Sequence, residues 1–384
     1  MKLLSLIRSL NPTGGGPIEG VRQITPHLAA LGVSTTVASL DSPKDPWLQN
    51  QPFRAIGLGP VANRYGYRRG LPGRIRHLAE QHDAVIIHGT WQYHAFATWR
   101  ALRGTAIPYF VYTHGMLDPW FKRTYPLKHL KKWAYWPWAD YRVLRDARAV
   151  LFTTEQERLL ARQSFWLYQA HERVVGYGTS APPGSSTQQC ELLLARYPHL
   201  RGQRILLFLS RIHPKKGVDL LIEAFAAVAG TDPTLHLVIA GPDQVGWQPK
   251  LQQRASALGL GDRLTWTGML NGDLKWGAFR VAELFCLPSH QENFGVVVAE
   301  ALACGLPVAI AEPVNIASEV TAASAGLVHP DTVAGTTAAL RQWLALAPQE
   351  KQQMGIRGSK LFAEKFDFSS VAKTLLQVLA QSRL

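Results

Sequence analysis

The sequence has little of what would define several protein classes. Its three cysteines, Cys190, Cys286 and Cys304, are widely spaced in 384 residues, and the last two stand in apolar runs. That excludes a disulfide framework or a cysteine-based metal knot, and it points to buried thiols in a reducing compartment. No apolar run reaches the roughly 18 residues of a membrane-spanning helix. The apolar stretch at residues 1–7 is too short for a signal peptide and runs straight into a glycine-rich loop, so it reads as a first buried strand. Acid is scarce: 27 Asp and Glu against 41 Lys and Arg leave a formal charge of +14. Such a charge suits nucleic acid, an anionic membrane surface or phosphorylated small molecules. No pair of His, Cys or carboxylates has metal-site spacing, and no Ser or Cys stands in a nucleophile elbow.

What is present is a repeating alternation. With 47% hydrophobic and 18% charged residues the composition is globular, and 384 residues exceed one ordinary core, so two domains are expected. A strand at 2–9, the loop from Asn11 to Pro17, a helix at 18–31 and a strand at 33–40 form a βαβ unit, which implies a parallel sheet. Residues 41–80 read as basic and loop-rich. Buried strands at 83–88 and 108–113 end near His88 and His114, where open α/β sheets gather their ligands. A strand at 149–153 and a helix at 155–162 follow. Gly, Ser and Pro cluster at 174–184, which marks a linker. The second half repeats the pattern, with strands at 205–210, 236–240, 264–267, 284–287 and 307–311 and a helix at 218–229. An amphipathic helix closes the chain at 368–384. The expected fold class is α/β, with a doubly wound sheet in each of two domains. The first spans 1–176, with 369–384 packing back on it, and the second spans 177–368.

The chemistry concentrates in His290-Gln291-Glu292-Asn293-Phe294-Gly295, running on to Glu300. Two carboxylates eight positions apart bracket a turn that opens a helix. Glu292 is expected at or before the helix start and Glu300 about two turns in, both facing one cleft. The free N–H groups and positive dipole end of a helix start suit phosphate. Ser210-Arg211-Ile212-His213-Pro214-Lys215-Lys216-Gly217 lies between a strand and a helix. A forked Arg and a point-charge Lys suit a diphosphate, where a mere solvated loop would also be basic. Gly14-Gly15-Gly16 lets backbone approach a ligand, although it lacks the full spacing of a dinucleotide or P-loop fingerprint. His114 is either a satisfied structural histidine or part of a site, and His88 ranks behind it.

Residues 120–148 carry eight Lys and Arg against two Asp, together with Trp120, Trp133, Trp136 and Trp138. Their rough helical spacing, broken at Pro137, fits either a membrane interface or a helix packed on its own domain. No nucleic-acid recognition module is visible, so nucleic acid is not expected as a partner.

These motifs together resemble glycosyltransferase family 4, retaining enzymes of the GT-B fold. The match rests on Glu292-x7-Glu300, on Ser210-Arg211 with Lys216-Gly217, on the loop from Asn11 to Pro17, and on His114. The resemblance implies two Rossmann-like domains facing each other across a cleft and closing over a nucleotide diphosphate sugar. It assigns the donor diphosphate to Arg211 and Lys216, a hydroxyl of the transferred sugar to Glu292, and the ribose to Glu300. Backbone at Asn293, Phe294, Gly295 and Val296 would meet sugar and phosphates. Gly15 and Gly16 would cover the donor, with His114 beside the sugar, and Gly241, Met269 and Leu270 would meet the base. The implied catalytic set is Glu292, His114, Arg211 and Lys216, with no cofactor and no metal. Donor candidates are GDP-mannose or a UDP-hexose; the acceptor is a glycan or lipid-linked hydroxyl in polysaccharide or cell-envelope synthesis. The expected location is cytoplasmic, with residues 120–148 seating the protein on the inner face of the plasma membrane. Two features depart from the family: Gly176-Tyr177-Gly178-Thr179 replaces Pro-Asn-Gly-Val at the linker, and residues 120–138 are unusually rich in Trp. Rival readings are a GT-B sugar-nucleotide epimerase or phosphorylase, and a non-catalytic scaffold at a membrane surface.

Overall fold

Short buried apolar runs set the architecture. The computed structural model describes residues 1–12 and 15–381. The chain divides into two units, one comprising Met1–Ser180 with the chain from Asp367 onward, the other Ala181–Phe366.

In the first unit, strands β1 (Lys2–Ile7), β2 (Ser34–Ser39), β3 (Arg54–Gly57), β4 (Ala84–His88), β5 (Tyr109–Tyr112), β6 (Ala149–Phe152) and β7 (Glu172–Val174) form one parallel sheet. Its order is β3-β2-β1-β4-β5-β6-β7. The central strands are buried almost throughout, as expected where helices cover both faces. One face is sealed by a cluster that includes Leu4, Val85, Val111, Val150, Trp99 and Trp136. The chain's last long helix, Phe368–Ala380, buries Phe368, Val371, Ala372, Leu375 and Leu379, and packs on the helix Gly16–Ala30. Asp367 caps it by accepting from Ser369 N at 2.7 Å.

The second unit repeats the design with β8 (Arg204–Leu209), β9 (Leu235–Ala240), β10 (Leu264–Gly268), β11 (Leu284–Leu287), β12 (Val308–Ala311) and β13 (Gly326–His329). Its parallel order is β10-β9-β8-β11-β12-β13. In both sheets the order reverses beside the first strand, at β1/β4 and β8/β11, and the crevice outside the carboxyl ends there is the usual ligand position.

Several expectations shift. Residues 41–80 are largely loop, as expected, but they also hold β3 and the helix Leu71–Ala79. Two further strands, β7 and β13, lie where none was expected. The first unit runs to Ser180, not to 176. Tyr177 Oη donates to Gly16 O at 2.6 Å, Ser180 N donates to Gln23 Oε1 at 3.0 Å, and Thr179 bridges Asp367, so this tract is tied to the first sheet's own helices. Glu300 stands one turn inside the helix Val296–Ala303, not two, because residues 292–295 are not helical. Glu292 is extended and bridges Val314: its N–H donates to Pro313 O at 3.1 Å, and its carbonyl accepts from Asn315 N at 3.0 Å.

Candidate active site

In the second unit the residues singled out by sequence all follow the carboxyl ends of four adjacent strands. Arg211 and Lys216 follow β8, Gly241 follows β9, Met269 and Leu270 follow β10, and Glu292 to Val296 follow β11. The chain crowds here, and two glycines make it possible. Gly241 has φ 141°, and a Cβ there would collide with the carbonyl oxygen of Ser210. Gly217 has φ 69°, and a Cβ there would collide with the carbonyl oxygen of Pro288. The basic loop is thereby laid against the end of β11. His290 N and Ser289 Oγ both donate to Lys215 O, each at 2.9 Å, and fix it there.

This packing brings Lys216 and Glu292 into direct contact as an ion pair, with Lys216 buried. Burial draws the Lys216 ammonium down to about 7, with the like charges of Lys215 and Arg211 adding to the fall. The Glu292 carboxylate beside it works the other way and favours the charged form. Arg211 lies exposed, its Nη1 donating to Gln244 Oε1 at 2.9 Å. Gly295, at φ 77°, is the N-cap of the helix Val296–Ala303, and Phe294 is anchored in the core edge-on to Phe366. Only the backbone of Phe294 is therefore available to a ligand. Met269 is exposed and Leu270 buried.

Glu300 is buried, and Lys275 Nζ donates to its Oε1 at 2.8 Å. Lys275 also lies 4.3 Å from the centroid of the Trp276 ring. Sequence reasoning missed this lysine: it is 25 positions from Glu300, on the helix Gly272–Val281, and nothing local marks it. Asn315 was missed for the same reason. It is buried beside Glu292, and among the described residues its Nδ2 has no hydrogen-bond partner. Each acid thus faces its own lysine, Glu292 with Lys216 and Glu300 with Lys275.

In the first unit the ends of β4 and β5 carry neutral rings, while Arg8 follows β1 and the buried Asp41 follows β2. His114, at φ 49°, follows β5 in the left-handed region. Its turn is held by Glu157, a buried acid that was not anticipated. Glu157 Oε1 accepts from Thr113 Oγ1 at 2.6 Å and from Gly115 N at 2.5 Å; Oε2 accepts from Thr153 N at 2.7 Å and Thr153 Oγ1 at 2.6 Å. His114 Nε2 lies 3.1 Å from His88 Nδ1, and its ring stacks on Tyr112 at 4.7 Å. Burial lowers His114 to about 3 and pushes His88 well below its ordinary value, so both rings are neutral near pH 7 and share one hydrogen bond. His88 is thus part of the His114 arrangement. Gly15, at φ 85°, caps the helix Gly16–Ala30, and among the described residues, chain neighbours and the helix's own backbone aside, nothing lies within 4 Å of where a side chain on Gly15 or Gly16 would begin. Gly14 lies outside the described residues. Among the described residues, no group of three or more His, Cys, Asp or Glu is arranged to hold a metal ion.

Known proteins extend this geometry. Residues 194–361 match the model of group 1 glycosyl transferases, and residues 15–178 match the glycosyl transferase 4-like domain. The chain belongs to these glycosyltransferases. A D-inositol 3-phosphate glycosyltransferase of Geodermatophilus obscurus is 32% identical over 180 residues, 45% of this chain and 39% of the relative. An alpha-D-kanosaminyltransferase of Streptomyces kanamyceticus is 26% identical over 239 residues, 62% of this chain and 61% of the relative. The chain thus spans about two-fifths of the length of the first of these relatives. Among solved structures, Anabaena HepE in complex with UDP superposes with a TM-score of 0.80 at 18% identity, covering 99% of this chain and 100% of HepE. Sucrose-phosphate synthase from Thermosynechococcus elongatus gives 0.75 at 20% identity, covering 99% and 98%. These structural likenesses establish the GT-B glycosyltransferase fold, two Rossmann-like parallel-sheet domains.

Proposed function

We propose that this glycosyltransferase moves a hexose from a nucleotide diphosphate sugar to a hydroxyl of a glycan or lipid-linked acceptor, with retention of anomeric configuration. The observation that carries the reading is the ion pair of buried Lys216 with half-buried Glu292, just before the helix Val296–Ala303 and beside the exposed Arg211. Breaking the bond between sugar and diphosphate leaves negative charge on the phosphates. Arg211, Lys216 and the free N–H groups at the helix start stabilise that charge where it develops. Arrival of the diphosphate gives Lys216 a second anionic partner and favours its charged form. Glu292 then receives a sugar hydroxyl, and Glu300, on the other side of the helix's first turn, receives the ribose. His114, neutral and fixed in orientation, is suited to a hydroxyl and adds no charge. Attack comes from the face the diphosphate leaves, and the departing phosphate takes the acceptor's proton. This route assigns no step to a metal ion, so transfer should survive chelation by EDTA.

The HepE complex with UDP supports a uridine donor, and GDP-mannose is the alternative. A hydrolysis and transfer screen across nucleotide sugars tests the reading, with Glu292→Ala as control. One donor should be consumed by the wild type only. Wild-type turnover in Glu292→Ala would sink the assignment, and conversion of a donor without any acceptor would favour the epimerase or phosphorylase.

The helix Pro126–Tyr135 bears on the acceptor. Its inner side packs: Trp136, just beyond it, is fully buried and stacks on Phe165 at 4.2 Å. Its outer side leaves Leu127 80% and Leu130 68% exposed, with Lys128 and Lys131 exposed among them. Two exposed leucines ringed by lysine suit an anionic bilayer surface and a lipid-linked acceptor. Among the described residues, no helix is long and apolar enough to cross a membrane. Cosedimentation with phosphatidylglycerol vesicles should fall in Leu127→Ser/Leu130→Ser, and equal binding would remove this part of the reading.

A further inference from the structure

The first sheet has a second concavity, at the amino ends of its strands. A groove of about 590 Å³ opens where β5, β6 and β7 begin, floored by Phe110 and Val378. Its walls carry Arg145, Arg148, His171 and Arg173. Arg148 and His171 are the residues just before β6 and β7, and both line the groove. An adjoining groove of about 370 Å³ shares Asp146 and Arg148 and adds Arg103.

The one acid in these walls is already neutralised. Arg145 forks onto Asp146, Nε to Oδ1 at 2.7 Å and Nη2 to Oδ2 at 3.1 Å, and Trp99 Nε1 donates to Oδ2 at 2.8 Å. Among the described residues, Arg103, Arg148 and Arg173 form no ion pair. Arg173 makes one hydrogen bond, Nη1 to the carbonyl of Glu172 at 3.0 Å. Two guanidiniums without an ion pair, Arg148 and Arg173, therefore line a recess whose volume lies within the range of small-molecule sites, and Arg103 stands in the adjoining groove within reach of the Asp146 charge. A guanidinium fork matches two phosphate oxygens at once, and several such forks suit a ligand with more than one phosphate. From Phe110 to His114 is four residues of strand and turn, so roughly 13 Å separates this groove from the His114 turn. It is a different place from the candidate active site.

We propose that the groove at the amino ends of β5, β6 and β7 binds a compact polyanion, a small molecule or headgroup carrying a diphosphate. The inference does not rest on the proposed activity. Calorimetric titration with inorganic pyrophosphate at low salt tests it on three proteins: the wild type, Arg148→Ser/Arg173→Ser, and Arg211→Ala. All the exchanged side chains are exposed, so folding is expected to be kept and is checked by thermal melting. The expected result is a site present in the wild type and in Arg211→Ala, and weakened at least tenfold in Arg148→Ser/Arg173→Ser. Unchanged affinity in that double variant, or no pyrophosphate site in Arg211→Ala, overturns the proposal. Vesicles bearing a lipid diphosphate, titrated in parallel, separate the sources: binding that depends on Arg148 and Arg173 supports the site for a headgroup too, and pyrophosphate binding alone assigns it to a free ligand. A groove site in a protein that binds no nucleoside diphosphate would leave this inference standing and remove the proposed function.

Discussion

The two units carry the same sheet order around their first strands but opposite chemistry at the carboxyl ends. Where β8 and β11 end, the polar groups are ionic: Lys216 against Glu292, Lys275 against Glu300. Where β4 and β5 end, they are neutral: His88 and His114 share one hydrogen bond, and Tyr112 stacks beside them. The nearest acid, Glu157, spends its carboxylate on the backbone and hydroxyls of its own turn. The fold decides where a ligand can sit, and the side chains decide which part of a ligand each unit suits. Charged ends suit phosphate and hydroxyl recognition under a developing charge; neutral ends suit hydroxyls alone.

The sharpest way to break this contrast lies at its exception, Asp140, a buried acid in the neutral unit whose Oδ2 accepts from Trp91 N at 3.1 Å. Burial raises it to about 7 from an ordinary value of 3.8, against the lowering pull of Trp91 N–H and Lys132. Because the folded value is raised, its contribution to stability is full below 3.8 and is lost as pH rises through about 7. Asp140→Asn should therefore match the wild type near pH 4, become relatively more stable up to pH 7, and hold a constant lead above it. The lead is at most on the order of 4 kcal/mol, read from thermal melts across that range. A lead that does not change with pH would show that the unit tolerates buried charge.

In the ionic unit, Lys216→Ala should weaken nucleoside diphosphate binding by about 100-fold, because the variant also leaves the half-buried Glu292 carboxylate without its partner. Equilibrium titration checks it, and a Lys216→Ala protein that binds as tightly as the wild type would dissolve the distinction between the units. Next in size, Glu157→Gln should cost about 2 kcal/mol in denaturant melts, since its amide would meet donors where an oxygen now accepts. The smallest effect expected is for Lys275→Ala: roughly tenfold weaker donor binding with turnover kept, read as a rise in KM alone.

Much of the fold is legible in the chain because central parallel strands are continuous apolar runs, as in Leu284-Phe285-Cys286-Leu287. The strands that escaped notice, β3, β7 and β13, are all sheet edges. Edge strands are short and half exposed and carry charge, as Glu172-Arg173-Val174 does, so they lack the apolar signature. At the candidate site, Arg211, Lys216, Glu292 and Glu300 stood out through their motifs. Lys275 and Glu157 did not, since Lys275 meets Glu300 across 25 positions and Glu157 meets Thr113 and Gly115 across more than 40, distances over which the sequence carries no period. Glu292 does stand before the helix start, as expected, but Glu300 is one turn in and not two, for a related reason. Pairing with residues 313–315 keeps Glu292 extended, and that partner strand is visible only after folding.

The left-handed backbone at His114 restricts what this protein can become. Asn, Asp and His adopt that conformation several-fold more readily than other side chains, and β-branched residues scarcely do. The hydrogen bonds to Glu157 hold the turn in place whichever residue occupies it. A lineage, or an engineer, exchanging this residue therefore has few side chains to draw on: Asn, Asp or Gly. Broader variation must come from neighbours that do not carry the turn.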